Sequence, residues 1–452
     1  MPQPKSMPEI GSLTSVRDVG RVVAVSGGLV KVQGLGTFAR LGDQLRLLRK
    51  GALPLMGEVL QLGKDALTML PEHALTGVSL GDRVILAGPA HIAPCDGWIG
   101  RVIDPMGRPL DGTPLPRGDG GRDFLSAPPP AAQRRGLGQR LETGMRVFNT
   151  LLPIVQGQRV GLFAGSGVGK THLLGHLARY MQADVVVIAL IGERGREVGD
   201  FVGKVLGPEG MARSVVVAAT SDQSPLLRRR CAWTAMTVAE YFRDQGCNVL
   251  FLADSITRFA EAHREIAVAS GEDAALRGYP ASTAHTIMAL AERAGPGAGS
   301  MGDVTALFTV LVPGSDMEEP VADILRGVLD GHVVLDRKIA ERGRYPAIDL
   351  PRSVSRSLPD AATEAENALI GEARHLLGVY DENDMMIRAG LYAAGSDPTL
   401  DSAISIWPEL DAFLAENESQ ASTNSFARLR LILRRASAPR PVQPGSASHA
   451  TR

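Results

Sequence analysis

A glycine-rich segment at residues 164–171, with the sequence AGSGVGKT, constrains the fold of this chain more than any other feature. An apolar, strand-like run at residues 159–163 precedes it, and leucines at helical spacing follow it. A strand, a glycine-rich loop and a helix in this order are typical of a nucleotide site, because backbone N–H groups and the helix N-terminus face the phosphates. The sequence therefore predicts an α/β fold with a phosphate-binding loop. Its expected nucleotide-binding residues are Gly165, Ser166, Gly167, Val168, Gly169, Lys170 and Thr171.

Two residues at the end of this loop would carry most of its chemistry. Lys170 is expected to neutralise the β- and γ-phosphates of ATP, and the Thr171 hydroxyl is expected to ligate Mg²⁺. The strict pattern has a glycine where this chain has Ala164, which is tolerable if the φ angle there is negative. The alternative interpretation is a chance glycine-rich turn that carries a surface lysine.

Composition limits the class of protein further. At 452 residues the chain is too long for one core and should divide into two or three domains. Its formal net charge of −1 argues against a nucleic-acid partner or direct attraction to a membrane. Its three cysteines lack metal-ligand spacing, which favours buried thiols in a reduced, cytoplasmic protein. With no signal-peptide pattern and no run of about 18 apolar residues, membrane association is expected only through partners.

Changes in residue pattern divide the chain into segments. Short β-like runs punctuated by glycine predict a small β-barrel at residues 20–90, and a Pro- and Gly-rich stretch predicts a linker and domain crossover at 91–139. Buried apolar strands that alternate with helices predict a doubly wound, mostly parallel sheet at 140–362. A helical domain is expected at 363–435. Residues 1–19 and 436–452 are expected to form a short tail and a disordered tail.

The pattern also places individual elements. The expected sheet strands include residues 184–190, 214–219, 248–253 and 305–312. The expected C-terminal helices are residues 364–379, 382–389 and 400–415.

Candidate catalytic residues follow two of these strands. Asp254 ends an apolar strand, where a carboxylate would order the magnesium shell, although it could also cap the next helix. Glu193 and Glu197 follow another strand; we expect Glu193 to polarise the attacking water and Glu197 to bind magnesium through a water. Arg194 is expected near the phosphates. An ordinary surface ion-pair cluster is the alternative for these last three residues.

Several motifs in order give the chain a family resemblance over residues 20 to about 415. These motifs are the loop at 164–171, GERGRE at 192–197, ADSITRF at 253–259, YPAIDLPRSVSR at 345–356, GRVIDPMGRPLDG at 100–112 and GQR at 157–159. They resemble the α/β family of rotary ATPases. Further segments are similar to the type III secretion ATPases, particularly the flagellar export ATPases: RGYP at 277–280, ERAG at 292–295, LDGHVVLDR at 329–337 and IRAGLYAAGSDP at 387–398.

The resemblance implies a RecA-like central domain and a homohexamer that binds ATP at its interfaces. Arg356 would then reach the neighbour's γ-phosphate as an arginine finger, and Tyr345 would stack on adenine. The implied partners are export-gate membrane proteins, a stator-like regulator, a coiled-coil stalk protein, export chaperones and cargo. The implied location is the cytoplasm, peripheral to the inner-membrane export apparatus.

Two features depart from the family pattern. The segment before residue 20 is short and interrupted by Pro2, Pro4 and Pro8, which puts docking of the regulator there in doubt. Residues 148–150 read FNT where the family commonly has IDG, so Asn149 receives no role.

Three other functions stay open at this point. An injectisome ATPase would share the same core. An RNA translocase of the transcription-terminator type is disfavoured because residues 20–87 lack interleaved aromatic and basic side chains. A non-catalytic nucleotide-binding subunit is disfavoured by Glu193. The resemblance also places the loop at 271–280, with Leu276 and Arg277, at the hexamer axis, where it would grip the stalk; a plain surface loop is the alternative.

Overall fold

The computed structural model describes residues 17–312 and 317–436. The tails expected at 1–19 and 436–452 lie outside these residues, except for residues 17–19 and 436.

The first domain is a closed β-barrel whose strands follow one another in the order β1-β2-β5-β4-β3-β6. Buried and exposed residues alternate along β1 and β2, because successive side chains of a strand point to opposite faces. Val30, Val32, Leu45 and Leu67 fill the interior. The strands are β1 (Val19–Ser26), β2 (Leu29–Gln33), β3 (Gln44–Leu48), β4 (Leu55–Leu62), β5 (Leu67–Pro71) and β6 (Arg83–Gly88).

The segment after the barrel is more than a linker. It contains the short strands β7 (His91–Ile92), β8 (Val102–Ile103) and β9 (Arg122–Asp123). Strand β7 pairs with β9, while β8 joins the edge of the central sheet through parallel pairing with β12 (Ser214–Thr220). A two-residue strand is too short to leave a periodic pattern in the sequence, so this attachment was not predicted.

The central sheet has eight strands in the order β18-β17-β10-β16-β13-β11-β12-β8. All its pairs are parallel except β17 with β18. The four strands named from the sequence and the strand before the phosphate loop are all present. The remaining strands among the described residues are β10 (Arg159–Ala164), β11 (Val185–Glu193), β12, β13 (Val249–Asp254), β14 (Ala274–Ala275), β15 (Tyr279–Pro280), β16 (Val304–Leu311), β17 (Gly331–Leu335) and β18 (Ile348–Ser355).

Helices cover both faces of this sheet, as expected for a doubly wound fold. On β11, Val186, Ile188 and Leu190 pack in one core cluster, and the alternate residues, such as Val187, pack in the other. The helices are α1 (Arg146–Asn149), α2 (Lys170–Tyr180), α3 (Gly195–Asp200), α4 (Gly207–Met211), α5 (Pro225–Asp244), α6 (Ile256–Ala269), α7 (Ser282–Glu292), α8 (Pro320–Val328) and α9 (Arg337–Glu341). A π-helical turn, Phe201–Leu206, joins α3 to α4.

The C-terminal domain consists of α10 (Glu364–Arg388), α11 (Pro398–Phe413) and α12 (Ser422–Ala436). The prediction of two helices at 364–379 and 382–389 is wrong, because α10 runs through both without a break. No proline interrupts its hydrogen-bond ladder, and a Thr363–Glu366 capping box starts it. Within residues 17–312 and 317–436, no helix is both long and apolar enough to span a membrane.

Only one of the cysteines is fully buried. Cys231 lies in the core, where its thiol donates to the carbonyls of Leu190 and Val217. The expectation of buried thiols is wrong for Cys95 and Cys247, which are half-buried. All three are free thiols.

The barrel is fastened to the central domain by a buried charge cluster. Glu58 on β4 forms ion pairs with Arg230 and, at 3.6 Å, with Arg229, both on α5. All three side chains are nearly buried. Beside them, Leu70 of the barrel packs on Leu226 of the central domain. Buried arginines without a counter-charge would be costly, so Glu58 should stabilise the docking of the two domains.

We therefore expect Glu58→Ala to destabilise the protein by about 3 to 5 kcal/mol, because it leaves two buried guanidinium groups unpaired. The measurement is the midpoint of the first unfolding transition in urea, followed by circular dichroism. The control is Glu341→Ala, which removes an exposed partner of Arg337 and should cost less than about 1 kcal/mol. Equal shifts for the two variants would contradict this role of Glu58.

Candidate active site

The carboxyl ends of four parallel strands meet at one edge of the central sheet. Strands β10, β16, β13 and β11 end at Ala164, Leu311, Asp254 and Glu193. In open α/β sheets this edge is where ligands bind. A cavity of about 1190 Å³ opens there, and its lining includes the phosphate loop, Glu193, Glu197 and Tyr345.

The phosphate loop has the conformation that its glycines allow. Gly169 has a φ of 87°, and a Cβ atom added to it would lie 2.9 Å from Cδ1 of Tyr345. Glycine is therefore required both for the turn and for the close approach of the tyrosine ring. Ala164 lies at the end of β10 and does not have a positive φ. Alanine is therefore tolerated there.

The residues of the loop face two ways. Gly165, Ser166, Gly167, Gly169, Lys170 and Thr171 line the cavity. The side chain of Val168 instead packs into the core under α2. Only the backbone of Val168 is therefore a candidate for contact with a nucleotide.

Lys170 and Asp254 form a buried ion pair at the floor of the site. Lys170 Nζ donates to Asp254 Oδ1, and the same oxygen accepts a hydrogen bond of 2.8 Å from the Thr309 hydroxyl on β16. Asp254 is thus brought to the phosphate loop by tertiary structure, although it does not itself line the cavity wall. Because the pair is nearly buried, each charge depends on the other for compensation.

Glu193 lies beside this pair. Burial and the nearby Asp254 carboxylate raise the pKa of Glu193 to about 7, while the Lys170 ammonium acts in the opposite direction. A contact with Glu197 raises the pKa further, and Arg258, whose Nε lies 3.4 Å from Glu193 Oε1, lowers it. A carboxylate with a pKa near neutrality is well suited to accept a proton from water.

Arg194 and Glu197 form the outer rim of the site. Arg194 Nη1 donates to Glu197 Oε1 over 3.1 Å, one turn apart at the start of α3. Arg194 is largely exposed, and Glu197 is partly so. Both residues line the cavity, but such an exposed pair contributes little to stability and leaves Arg194 able to turn toward a ligand.

Tyr345 also lines the cavity, together with Pro346, Ala415 and Asn417. The Tyr345 ring is half exposed. Arg344 shapes this turn, because its guanidinium donates to the carbonyls of Pro346 over 3.0 Å and Ile348 over 2.7 Å. A half-exposed aromatic ring at the mouth of a cavity is suited to stacking on a nucleotide base.

Arg356 does not lie in this cavity. It follows the last residue of β18 at the far edge of the sheet, where its side chain is exposed and Nη2 donates to the carbonyl of Arg326 over 3.2 Å. Within one chain, therefore, the structure brings Arg356 to the surface and not to the phosphate loop.

Sequence reasoning missed three residues of the site. Thr309 holds the Asp254 carboxylate, Arg258 faces Glu193, and Arg344 shapes the Tyr345 turn. Arg258 lies within a motif that resembles the rotary ATPases, so its motif was the available signal. No local pattern identified Thr309, because its role depends on β16 lying next to β13.

Comparisons with known proteins agree with this architecture. Residues 144–355 match the nucleotide-binding domain of the ATP synthase alpha/beta family, and residues 362–431 match the C-terminal domain of the T3SS ATPase EscN. The chain is 43% identical to the flagellum-specific ATP synthase of Caulobacter vibrioides, over 92% of this chain and 95% of that protein. It is 40% identical to the protein of the same name from Bacillus subtilis, over 90% and 92% of the two chains.

Solved structures agree as well. The assembled ATPase EscN of the type III secretion system of enteropathogenic E. coli matches with a TM-score of 0.85 and 35% identity. The match covers 92% of this chain and all of that chain. EscN in complex with its central stalk EscO matches with a TM-score of 0.84 over the same shares. The predicted architecture of barrel, RecA-like sheet and C-terminal helices is confirmed.

The raised pKa of Glu193 predicts a pH-dependent stability of the nucleotide-free protein. Because the folded-state pKa is about 7 and the ordinary value is 4.5, folding favours the protonated form. The free energy of unfolding should then fall as pH rises from about 4.5 through about 7. Glu193→Gln removes this loss, so its stability relative to wild type should rise by about 1 to 3 kcal/mol between about pH 5.5 and about pH 8.5.

The measurement is urea denaturation of both proteins at the two pH values, with Glu341→Gln as an exposed control that should show no such difference. A Glu193→Gln effect that is identical at both pH values would contradict the perturbed carboxyl.

Proposed function

This chain belongs to the ATP synthase alpha/beta family, with the flagellar and type III export ATPases, and we propose that it hydrolyses ATP to energise flagellar protein export. In that process hydrolysis would release chaperones, unfold substrates and rotate a stalk. The observation that carries the chemical part is the position of Glu193. Its carboxyl, with a pKa near 7, lies next to the Lys170–Asp254 pair at the mouth of the phosphate loop.

The proposed chemistry follows from these charges. The first turn of α2 and the glycine loop would hold the phosphates with backbone N–H groups. Lys170 would leave Asp254 and pair with the β- and γ-phosphates, which carry more negative charge than one carboxylate. Glu193 would accept a proton from the attacking water, and Arg194 would approach the phosphates from the rim.

The residues present fit a magnesium ion. Thr171 offers a hydroxyl in the cavity lining, and Asp254 offers a buried carboxylate behind it, paired with Lys170. Oxygen ligands of this kind, together with phosphate oxygens, suit Mg²⁺. Glu197 would take part through a bound water. The ion would supply charge neutralisation at the phosphates.

We infer that catalysis needs a second copy of the chain. Arg356 is exposed and lies outside its own cavity, so a homohexamer with ATP at each interface would let it reach the neighbour's γ-phosphate. The assembled form of EscN supports such a self-assembly. Tyr345 would stack on adenine at the same interface.

The partner set is proposed on the same basis. EscN binds a central stalk, EscO, which supports a coiled-coil stalk as partner of this chain. We assign that contact to the loop at 271–280, which carries the small β14–β15 hairpin. Within it Arg277 has a positive φ of 54°, and its Nη1 donates to the Glu318 carbonyl over 2.9 Å. A stator-like regulator, export-gate membrane proteins, chaperones and cargo complete the proposed set, for a cytoplasmic protein held at the inner membrane by its partners.

The flagellar assignment rests on the relatives. Flagellum-specific ATP synthases from distant bacteria match this chain at 39% to 45% identity over nearly its whole length. EscN, from an injectisome, matches at 35%. The injectisome remains the second candidate.

For the chemistry, we expect Glu193→Gln to bind ATP about as tightly as wild type and to turn over about 10² to 10⁴ times more slowly, because water loses its base. Lys170→Ala should lose nucleotide affinity as well. Steady-state hydrolysis and binding of a fluorescent ATP analogue measure the two effects, with Glu341→Gln as control. A strain that carries Glu193→Gln in place of its own export ATPase should be non-motile. Near-normal turnover by Glu193→Gln would refute the assignment.

For the assembly, we expect Arg356→Ala to lose roughly 10³-fold in kcat while it still binds nucleotide. Mixing Arg356→Ala with Glu193→Gln should restore part of the activity, because some interfaces then contain one intact copy of each residue. The control is a mixture of Arg337→Ala with Glu193→Gln, because Arg337 is an exposed residue outside the site. It shows how much activity arises simply from adding an active subunit to Glu193→Gln. Mixed oligomers verified by tagging that show no recovery would exclude catalysis in trans.

A further inference from the structure

Gln158 carries a buried amide immediately before β10, and the site described above does not use it. It belongs to the GQR motif at 157–159, to which no role attaches so far. Its Oε1 accepts a hydrogen bond of 2.9 Å from the backbone N–H of Val155. Its Nε2 donates to the carbonyl of Asp330 over 2.9 Å and to the hydroxyl of Ser355 over 3.2 Å. Each polar atom of this side chain is therefore used.

Both groups that accept hydrogen bonds from Nε2 adjoin the backbone of Arg356. Ser355 is its preceding residue, and the carbonyl of Asp330 also accepts a hydrogen bond of 3.1 Å from the Arg356 N–H. The Ser355 hydroxyl in turn donates to the carbonyl of Pro153 over 2.5 Å. The amide of Gln158 thus bridges the two chain segments that hold Arg356 in place.

The Asp330 end of this bridge is itself fixed. The Asp330 carboxylate accepts from the backbone N–H and from Nε of Arg159, both over 3.0 Å. Gly331 leaves no spare space, since a Cβ atom on it would lie 2.7 Å from the Val354 carbonyl and 3.5 Å from the Arg356 nitrogen. The backbone around Arg356 is consequently held from both sides, although the Arg356 side chain is exposed.

We propose that Gln158 is a positioning residue for Arg356, which sets the place of its backbone and so the reach of its guanidinium toward the neighbouring subunit. The inference rests on the proposed function of Arg356 in trans. Strand β10 would then contribute to two active sites. Its end at Ala164 leads into the phosphate loop of its own subunit's site, and the residue before its start positions the arginine that acts in the neighbouring subunit's site. A misplacement of about 1 Å at a reacting group can cost about 10²-fold in rate, so a buried amide far from the phosphates can matter for catalysis.

The first test is Gln158→Met, which keeps the length of the side chain and removes both the Nε2 donor and the Oε1 acceptor. We expect kcat to fall by about 10- to 100-fold, with nucleotide affinity within about two-fold of wild type. The matched control is Gln156→Met, two residues earlier, whose amide bonds to Asn248 and not to the Arg356 segment. Gln156→Met should hydrolyse ATP at the wild-type rate.

Mixed oligomers separate this role from a local effect on the phosphate loop. If Gln158 acts through Arg356, Gln158→Met should regain activity when mixed with Glu193→Gln and should not when mixed with Arg356→Ala. If it acts on its own phosphate loop, the pattern reverses, and that reversal would overturn the proposal. Equal activities of the two Gln158→Met mixtures would also overturn the proposal, because they would indicate a general loss of structure.

Two further measurements keep the outcomes distinct. The mixture of Arg356→Ala with Glu193→Gln tests catalysis in trans by itself, so its failure refutes the proposed function and not the role of Gln158 alone. Should Gln158→Met fail to fold, Ser355→Ala removes one acceptor of the same bridge and should give the same mixing pattern. The opposite pattern for Ser355→Ala would overturn the proposal.

Discussion

Parallel hydrogen bonding between β10, β16, β13 and β11 is the constraint on which the site depends. Ala164 is paired with Leu311, Ala253 with Phe308, and Leu190 with Asp254. Because every strand of this set runs the same way, the residues that end them arrive at one edge. The phosphate loop, Asp254 and Glu193 are thus brought to one edge of the sheet although they are far apart along the chain.

Within that cavity, the balance of charges shapes the chemistry. Two carboxylates, Asp254 and Glu193, face one ammonium group, Lys170, in a partly dry site. Asp254 forms the ion pair with Lys170, and the pKa of Glu193 is raised to about 7. Phosphate groups that attract Lys170 would change this balance, so nucleotide binding and the proton affinity of Glu193 are expected to be linked.

The sheet also relates two sites in one subunit. Its interior strands carry the phosphate loop and Glu193, while its far edge, β18, leads to Arg356 on the surface. Gln158 connects these regions because β10 lies near that edge, separated from β18 by β17 alone. The similarity to EscN in its assembled form is consistent with a subunit built to serve both its own site and its neighbour's.

The sequence by itself determined the local features of the site, namely the phosphate loop and the carboxylates at strand ends. The phosphate loop was visible because strand, loop and helix are contiguous, and Asp254 and Glu193 were visible because each ends or follows an apolar run. The single helix α10 was missed because a weak stretch in an apolar pattern does not break a hydrogen-bond ladder. Only the tertiary structure decided that Lys170 meets Asp254, that Thr309 supports it and that Gln158 reaches Ser355. These contacts join residues 55 to 197 positions apart, and they depend on which strands are neighbours in the sheet, an order that local sequence does not encode.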